Sequence, residues 1–330
     1  MLDTQKRIAL LVQLGQYMLE NGEDWQEVKL RATQANSWFT AGQVDMASGN
    51  IAREFLQEDK LKLWIGQYKV TDTPNLVGIV MAGNIPLVGF HDMLCGFMSG
   101  HNLLIKTSSK DEVLIKHLAG KLCEWGADAC RQIQFSDMLK GCDAYIATGS
   151  NNTARYFEQY FGKYPHIIRR NRTSVAILDG TETEEELKLL GNDIFSYFGL
   201  GCRNITQVYL PEGYDKQKLF DAFRMYEDVM HHHKYKNNYD YQLAIYLLNR
   251  VPYLTTDSLL LVENEIPFSP VSVLHYQYYT DLNATIAKLS NSDDIQCIEG
   301  HSLTQFGASQ SPSLSDYADG VDTMRFFSDL

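Results

Sequence analysis

The chain has 330 residues, long enough for two domains with substantial cores. Its 45% hydrophobic and 21% charged content are those of an ordinary globular protein. A net charge of −12 sets its overall field against nucleic acid and anionic membrane surfaces. Only Arg169-Arg170-Asn171-Arg172 forms a local basic cluster.

Near the N-terminus, Ile8, Leu11, Val12, Leu14 and Met18 make a helical stripe. Glu20, Glu23 and Asp24 follow with no small-residue cleavage site, so no export signal is expected and a cytoplasmic enzyme is. Residues 1 to about 65 read as mostly helical, with Trp38, Phe39, Phe55 and Trp64 for packing. The longest apolar stretch, 76–105, is broken by Asn84, Pro86, His91, Asp92 and His101, which excludes a membrane span.

Within that stretch an alternation begins. The pattern predicts a strand at 77–81, a Gly83-Asn84-Ile85-Pro86 loop, a helix at 90–98 and a strand at 102–106. A helix at 111–125, a strand at 144–147, a Thr148-Gly149-Ser150 turn and a helix at 153–161 follow. Such recurrence predicts a parallel sheet with crossover helices, whose ligands bind at the carboxyl ends of the strands. Asn84, Lys106 and Ser150 fall at those ends.

A second α/β block opens at Ser174-Val175-Ala176-Ile177-Leu178. It continues through an amphipathic helix at 184–197, a strand at 205–210, a helix at 216–229 and strands at 259–262 and 271–274. Residues 234–241 read as a polar, aromatic loop on the substrate side. The last thirty residues have weak periodicity and read as a returning tail. The expected division is a helical segment and nucleotide-binding domain over 1–173, a nucleophile domain over 174–300 and a tail over 301–330. The six cysteines show no CxxC or zinc spacing, which suits reduced thiols.

Gly199-Leu200-Gly201-Cys202-Arg203-Asn204 places one thiol between glycines on a helix-to-strand turn. Covalent acyl chemistry needs such an exposed nucleophile with backbone N–H donors beside it. The bland alternative is a buried small hydrophobe. Thr148-Gly149-Ser150 suits a pyrophosphate at a helix N-terminus, and equally an ordinary N-cap; no GxGxxG is present. Asn84 suits an oxyanion donor or simply a loop. Lys106 suits a ribose or phosphate contact, or a plain surface position. Arg169, Arg170 and Arg172 suit the phosphates of a coenzyme A-like group, or a solvated face. His231-His232-His233 lacks ligand spacing, and no metal is expected.

In this order the pieces resemble the aldehyde dehydrogenase superfamily, and within it the LuxC-type acyl-CoA reductases, over about residues 75 to 325. Ala82-Gly83-Asn84-Ile85-Pro86-Leu87 resembles the family's Trp-Asn-Phe-Pro loop, which implies Asn84 as oxyanion donor. Gly100-His101-Asn102 through Lys106-Thr107-Ser108-Ser109 is similar to the segment that holds the adenosine ribose, which implies Lys106 and Ser108 there. Thr148-Gly149-Ser150 matches the family's phosphate turn, and Gly199 to Cys202 its nucleophile motif. Residues 263–271 resemble Glu-Ile-Phe-Gly-Pro-Val with Pro267 inserted, implying Glu265 at the nicotinamide ribose and Phe268 beside the ring. Gly201-Cys202-Arg203-Asn204 and the 316–323 segment resemble the reductase branch in particular.

Two departures carry information. Hydrolytic relatives place a water-activating glutamate where this chain reads Ile168-Arg169-Arg170-Asn171, with no carboxylate. NAD-preferring relatives place a glutamate where Ser109 stands, so NADPH is favoured. The resemblance thus implies a fold of aldehyde dehydrogenase type, two α/β domains with parallel sheets. It also implies reduction of an acyl-CoA to an aldehyde through a Cys202 thioacyl-enzyme. His166, near the missing base, is the candidate general acid. An acyl carrier protein thioester or acyl phosphate as donor, or a non-catalytic acyl-binding subunit, are the alternatives. A homo-oligomer and a protein that hands over acyl groups remain open as partners.

Overall fold

The computed structural model describes residues 2–330. The chain divides into two units, one comprising the residues up to Asn171 with Ser311–Leu330, the other Arg172–Gln310. No helix among the described residues is long and apolar enough to cross a membrane.

The first unit starts with four helices, α1 (Thr4–Glu20), α2 (Glu23–Ala35), α3 (Ala41–Glu54) and α4 (Glu58–Ile65). Asp3 accepts from the Lys6 N–H at 2.8 Å and Thr40 caps α3, so polar residues set where the helices begin. The apolar stripe buries Leu11, Leu14, Trp25, Leu61 and Trp64 in one core with the sheet that follows. That sheet comprises β1 (Leu76–Val80), β2 (Asn102–Lys106), β3 (Ile133–Phe135), β4 (Ala144–Thr148) and β5 (His166–Arg169). The interleaved helices are α5 (Phe90–Ser99), α6 (Glu112–Trp125), α7 (Ala127–Gln132) and α8 (Asn151–Phe161). All its pairs are parallel, in the order β3-β2-β1-β4-β5. Strand order reverses at β1, between β2 and β4, which makes a topological switch point.

Two of these strands, β3 and β5, are absent from the sequence reading. Three or four residues at a sheet edge carry too little pattern to stand out. Cys123 and Cys130 are paired, with Cα atoms 4.8 Å apart. The turn at Gly126 between α6 and α7 brings the two side chains together.

The C-terminal residues return to the first unit through a polar seam. Trp64 Nε1 donates to the Tyr317 hydroxyl at 2.8 Å, and Tyr68 donates to Asp322 at 3.0 Å. Helix α13 (Thr323–Ser328) buries Met324 and Phe327 in the core.

The second unit carries a six-stranded sheet, β6 (Thr173–Ile177), β7 (Ile205–Pro211), β8 (Leu254–Thr255), β9 (Leu260–Glu263), β10 (Val273–Tyr279) and β11 (Ile295–Glu299). Its order is β11-β6-β7-β10-β9-β8, parallel except for the β8 edge. Its helices, numbered in chain order, are α9 (Glu184–Phe195), α10 (Gln217–Phe223), α11 (His233–Asn249) and α12 (Leu282–Ser290). Thr183 and Glu186 form a full capping box on α9.

Two expectations change here. Residues 234–241, read as a loop, lie inside α11. That helix carries tyrosines and leucines on several faces, so no single stripe marks it in the sequence. Residues 301–310, read with the tail, pack within the second unit: the Gly307 N–H donates to Asp193, and Gln310 donates to the Arg203 carbonyl at 3.0 Å.

Candidate active site

In the second unit, α9 ends at Phe195 and the chain enters a left-handed turn. Tyr197 and Phe198 have φ of 51° and 56°, and Gly199 follows at 74°. Two bulky residues in that region cost on the order of 1–3 kcal/mol each, so the surroundings must hold the turn. They do: Tyr197 and Phe198 are both buried, and the Phe198 ring lies 4.2 Å from that of His232.

Asn204 is the main anchor. Its side chain is fully buried and makes three hydrogen bonds. The Gly201 N–H donates to its Oδ1 at 2.8 Å, and its Nδ2 donates to the carbonyls of Asp193 (2.8 Å) and Ser196 (2.7 Å). The turn that carries Cys202 is thus tied back onto α9. On the opposite side, Ser174 Oγ on β6 donates to the Cys202 carbonyl at 3.0 Å. Both anchors escaped the sequence reading. The only signal was the Asn two residues after the cysteine, in a place where an ordinary strand would begin.

Of the four free cysteines, Cys95 and Cys142 are buried, and burial pushes both thiols up. Cys297, on β11, is pushed up to about 11, chiefly by burial and against the opposing hydrogen bond with Ser174. Its Sγ lies 2.9 Å from Ser174 Oγ. A thiol needs its anion to attack, so these three are poor nucleophiles. Cys202 is half-buried and sits on the anchored turn.

The loop after β9 carries Glu265, exposed, and Phe268, half-buried. Three side chains on neighbouring strands pin it: Gln207 donates to the Asn264 carbonyl (2.7 Å), Thr206 to the Pro267 carbonyl (2.6 Å), and His275 Nδ1 lies 2.7 Å from the Ile266 carbonyl. Pro267, the inserted residue, therefore offers an anchoring carbonyl.

In the first unit, the expected residues gather at one end of three adjacent strands. Val80 of β1 is paired with Lys106 of β2 and with Ala147 of β4, so Asn84, Lys106 and Thr148 all follow the same carboxyl edge. The Asn84 loop is fixed from below by Asp111, which the sequence reading missed. The Leu87 N–H donates to Asp111 Oδ2 at 2.7 Å, and burial pushes that carboxyl well above its ordinary range. Leu87 itself has φ of 58°. A Cβ on Gly83 would come within 2.6 Å of Ser108, so glycine lets the Asn84 loop lie against the Lys106–Asp111 segment.

Lys106 is exposed, and its ammonium has no hydrogen-bond or ion-pair partner among the described residues. Ser108 accepts from the Lys110 N–H, and Ser109 is exposed. Ser150 accepts from the Thr153 N–H at 3.3 Å as the N-cap of α8, and the Gly149 N–H donates to the Arg169 carbonyl. The Thr148-Gly149-Ser150 turn is therefore an N-cap in its own right. The first-turn amides of α8 at Asn151 and Asn152 lie beyond that cap, at the positive end of the helix dipole. A lone ammonium, small hydroxyls and a helix N-terminus on one strand edge fit a phosphorylated nucleotide.

Two expectations are corrected. Arg169 is buried, and its Nη1 pairs with both Asp92 oxygens at 2.7 and 2.5 Å while Nη2 donates to Thr323, so it is withdrawn from any ligand phosphate. His166 opens β5 at the amino edge of the sheet, opposite to Asn84 and Lys106, with Nδ1 2.8 Å from the Tyr164 carbonyl. It is not brought to the site residues of this unit. Asn84 belongs to the first unit and Cys202 to the second.

Residues 45–219 match the family described as acyl-CoA reductase (LuxC). No curated protein matches the chain in sequence. Among solved structures it is similar to aldehyde dehydrogenase 21 from Physcomitrella patens in complex with succinate, at 12% identity and a TM-score of 0.67 over 88% of this chain and 71% of that one. It is also similar to an NAD-dependent aldehyde dehydrogenase from Sinorhizobium meliloti (12% identity, TM-score 0.66, 87% and 68% covered). A third is an aldehyde dehydrogenase from Bacillus cereus in its NAD+ complex (13%, 0.60, 88% and 70%). At such identities the likeness establishes the aldehyde dehydrogenase-like fold.

Proposed function

The chain belongs to the acyl-CoA reductase (LuxC) family, and from that premise we propose that it reduces an acyl-CoA, a fatty acyl-CoA above all, to an aldehyde with NADPH. The observation that carries this reading is the Cys202 turn: a half-buried thiol held from both sides by Asn204 and Ser174, while burial keeps the other free thiols protonated.

In this mechanism the Cys202 thiolate attacks the thioester carbonyl. A carbon–sulfur bond forms, and the carbonyl π electrons move onto oxygen. The Cys202 N–H would donate to that oxyanion, and Asn84 is the side-chain donor that the family resemblance implies. Its collapse expels the coenzyme A thiolate and leaves a Cys202 thioester. No carboxylate occurs in Ile168–Arg169–Arg170–Asn171, and Arg169 is locked to Asp92, so this stretch offers no base for water and the thioester persists. A nicotinamide held there would supply a hydride to the acyl carbon. The resulting thiohemiacetal oxyanion, held by the same donors, re-forms the carbonyl and returns the Cys202 thiolate.

The nucleotide would be held by Lys106 and Ser108 at its adenosine ribose and by the α8 N-terminus, with Thr148, Gly149 and Ser150, at its phosphates. Glu265 and Phe268 would meet the nicotinamide end. Ser109 in place of an acidic residue supports the 2′-phosphate, since a carboxylate there would repel it. The test is NADPH oxidation with acyl-CoAs from acetyl to palmitoyl. Turnover that disappears in Cys202→Ala is the expected result. Turnover retained in that variant refutes the mechanism, and failure of every CoA thioester refutes the substrate class.

A further inference from the structure

A pocket of about 270 Å³ opens in the first unit where β2 starts and α7 ends, at the amino edge of the sheet. It is thus at the opposite end from Asn84, Lys106 and Thr148. Its floor is a buried cation. Arg7, on α1, is only 2% exposed, yet it has no ion-pair partner among the described residues. Among the described residues its guanidinium makes one hydrogen bond, from Nε to Gln132 Oε1 at 3.4 Å.

This arrangement is built. Gln132 is buried and fixed by its amide, which donates to the carbonyls of Phe97 (2.8 Å) and His101 (3.0 Å). Gly100, with φ of 95°, lies beside the Arg7 fork: a Cβ there would come within 2.8 Å of the Thr71 carbonyl and into ordinary contact, 3.4 Å, with Nη2. Burial lowers the Arg7 pKa, and the exposed Asp3 and Asp72 farther off do not make up the difference. A guanidinium taken from water without a counter-charge calls for an anion in the space that its free nitrogens face.

The walls select the anion. Arg131, on the rim, pairs with Asp128 at 3.2 Å, so the described side chains that line the pocket sum to one positive charge. A monoanion balances it and a dianionic phosphate does not. The planar fork of Arg7 matches a carboxylate, while Leu2 and Pro74 line the pocket with apolar surface. At ~30 Å³ per water the pocket has room for about nine, more than a bare inorganic ion fills. We propose that the Arg7 pocket, with Asn102, Arg131 and Gln132, binds a small monocarboxylic acid, oxygens on the guanidinium and a short chain against Leu2 and Pro74.

The probe is sodium butyrate, titrated into the full chain by calorimetry, with inorganic phosphate in parallel. Saturable butyrate binding near or tighter than about 1 mM is expected, with phosphate at least ~10-fold weaker. Arg7→Gln should abolish it. Because that variant can also weaken the fold, Arg131→Glu is the second arm: it changes an exposed rim residue and should weaken butyrate at least ~10-fold at an unchanged melting temperature. Alkylation of Cys202 should leave the binding as it was. No saturable binding, binding unaffected by Arg131→Glu, sensitivity to Cys202 alkylation, or phosphate bound more tightly than butyrate would each overturn the proposal.

Discussion

Asn204→Ala is the substitution that most directly tests how the Cys202 turn is held. The change removes one acceptor and one two-proton donor from a fully buried position and strands three backbone groups: the Gly201 N–H and the carbonyls of Asp193 and Ser196. At a net ~1 kcal/mol per hydrogen bond the loss is about 3 kcal/mol, and more if no water enters. The strained Tyr197–Phe198 turn loses its tie to α9 at the same time, so the loss should extend to the position of the thiol. Urea denaturation measures the first effect. Iodoacetamide labelling of Cys202, with kcat and KM for acyl-CoA reduction, measures the second. The expected pattern is a loss of about 3 kcal/mol, an altered labelling rate and a fall in kcat larger than any rise in KM. A stability loss below ~1 kcal/mol with unchanged labelling refutes the reasoning, because the three bonds would then hold nothing.

Four further outcomes are expected. At pH 7, iodoacetamide should label Cys202 and spare Cys297, whose thiol at about 11 leaves only about 10⁻⁴ as thiolate; peptide mapping reads this directly. His301 lies 2.8 Å from Asp179 and 3.2 Å from Glu186, and these hydrogen bonds raise its pKa. Its contribution is present below the ordinary histidine pKa and is lost as pH rises through the raised one. Asp179 is held down at about 2: burial opposes this, but the hydrogen bonds of Thr181 and His301 outweigh it, so its contribution disappears as pH falls toward 2. His301→Ala should flatten both limbs of a melting temperature against pH curve. Asp92→Ala should cost about 3–5 kcal/mol in urea denaturation by leaving Arg169 buried and unpaired; Asp92→Leu with Arg169→Met should recover most of it. Ser109→Glu should lower the NADPH-to-NADH ratio of kcat/KM by at least ~10-fold, and an unchanged ratio would remove Ser109 from the specificity argument.

The sequence by itself determined the strongly patterned parts. Strand, loop and helix recur from 77 to 161 because a parallel sheet requires crossovers, and that order by itself puts Asn84, Lys106 and Ser150 at the carboxyl ends of the strands. It also singled out Cys202, since a thiol between glycines on a helix-to-strand turn is a local signal. Tertiary structure decided what depends on distant partners. Arg169 reads in sequence as a phosphate contact or a solvated cation; Asp92, 77 residues away, makes it a buried ion pair. Cys202 stands out locally, but only burial of Cys297 raises that thiol's pKa, and only the contact with Ser174 anchors the Cys202 turn. Asp111 supports the Asn84 loop and Ser174 the Cys202 turn through contacts 24 and 28 residues apart, and no periodicity encodes them. Local pattern is written in neighbours along the chain. Charge state and orientation come from neighbours in space, which only the folded chain supplies.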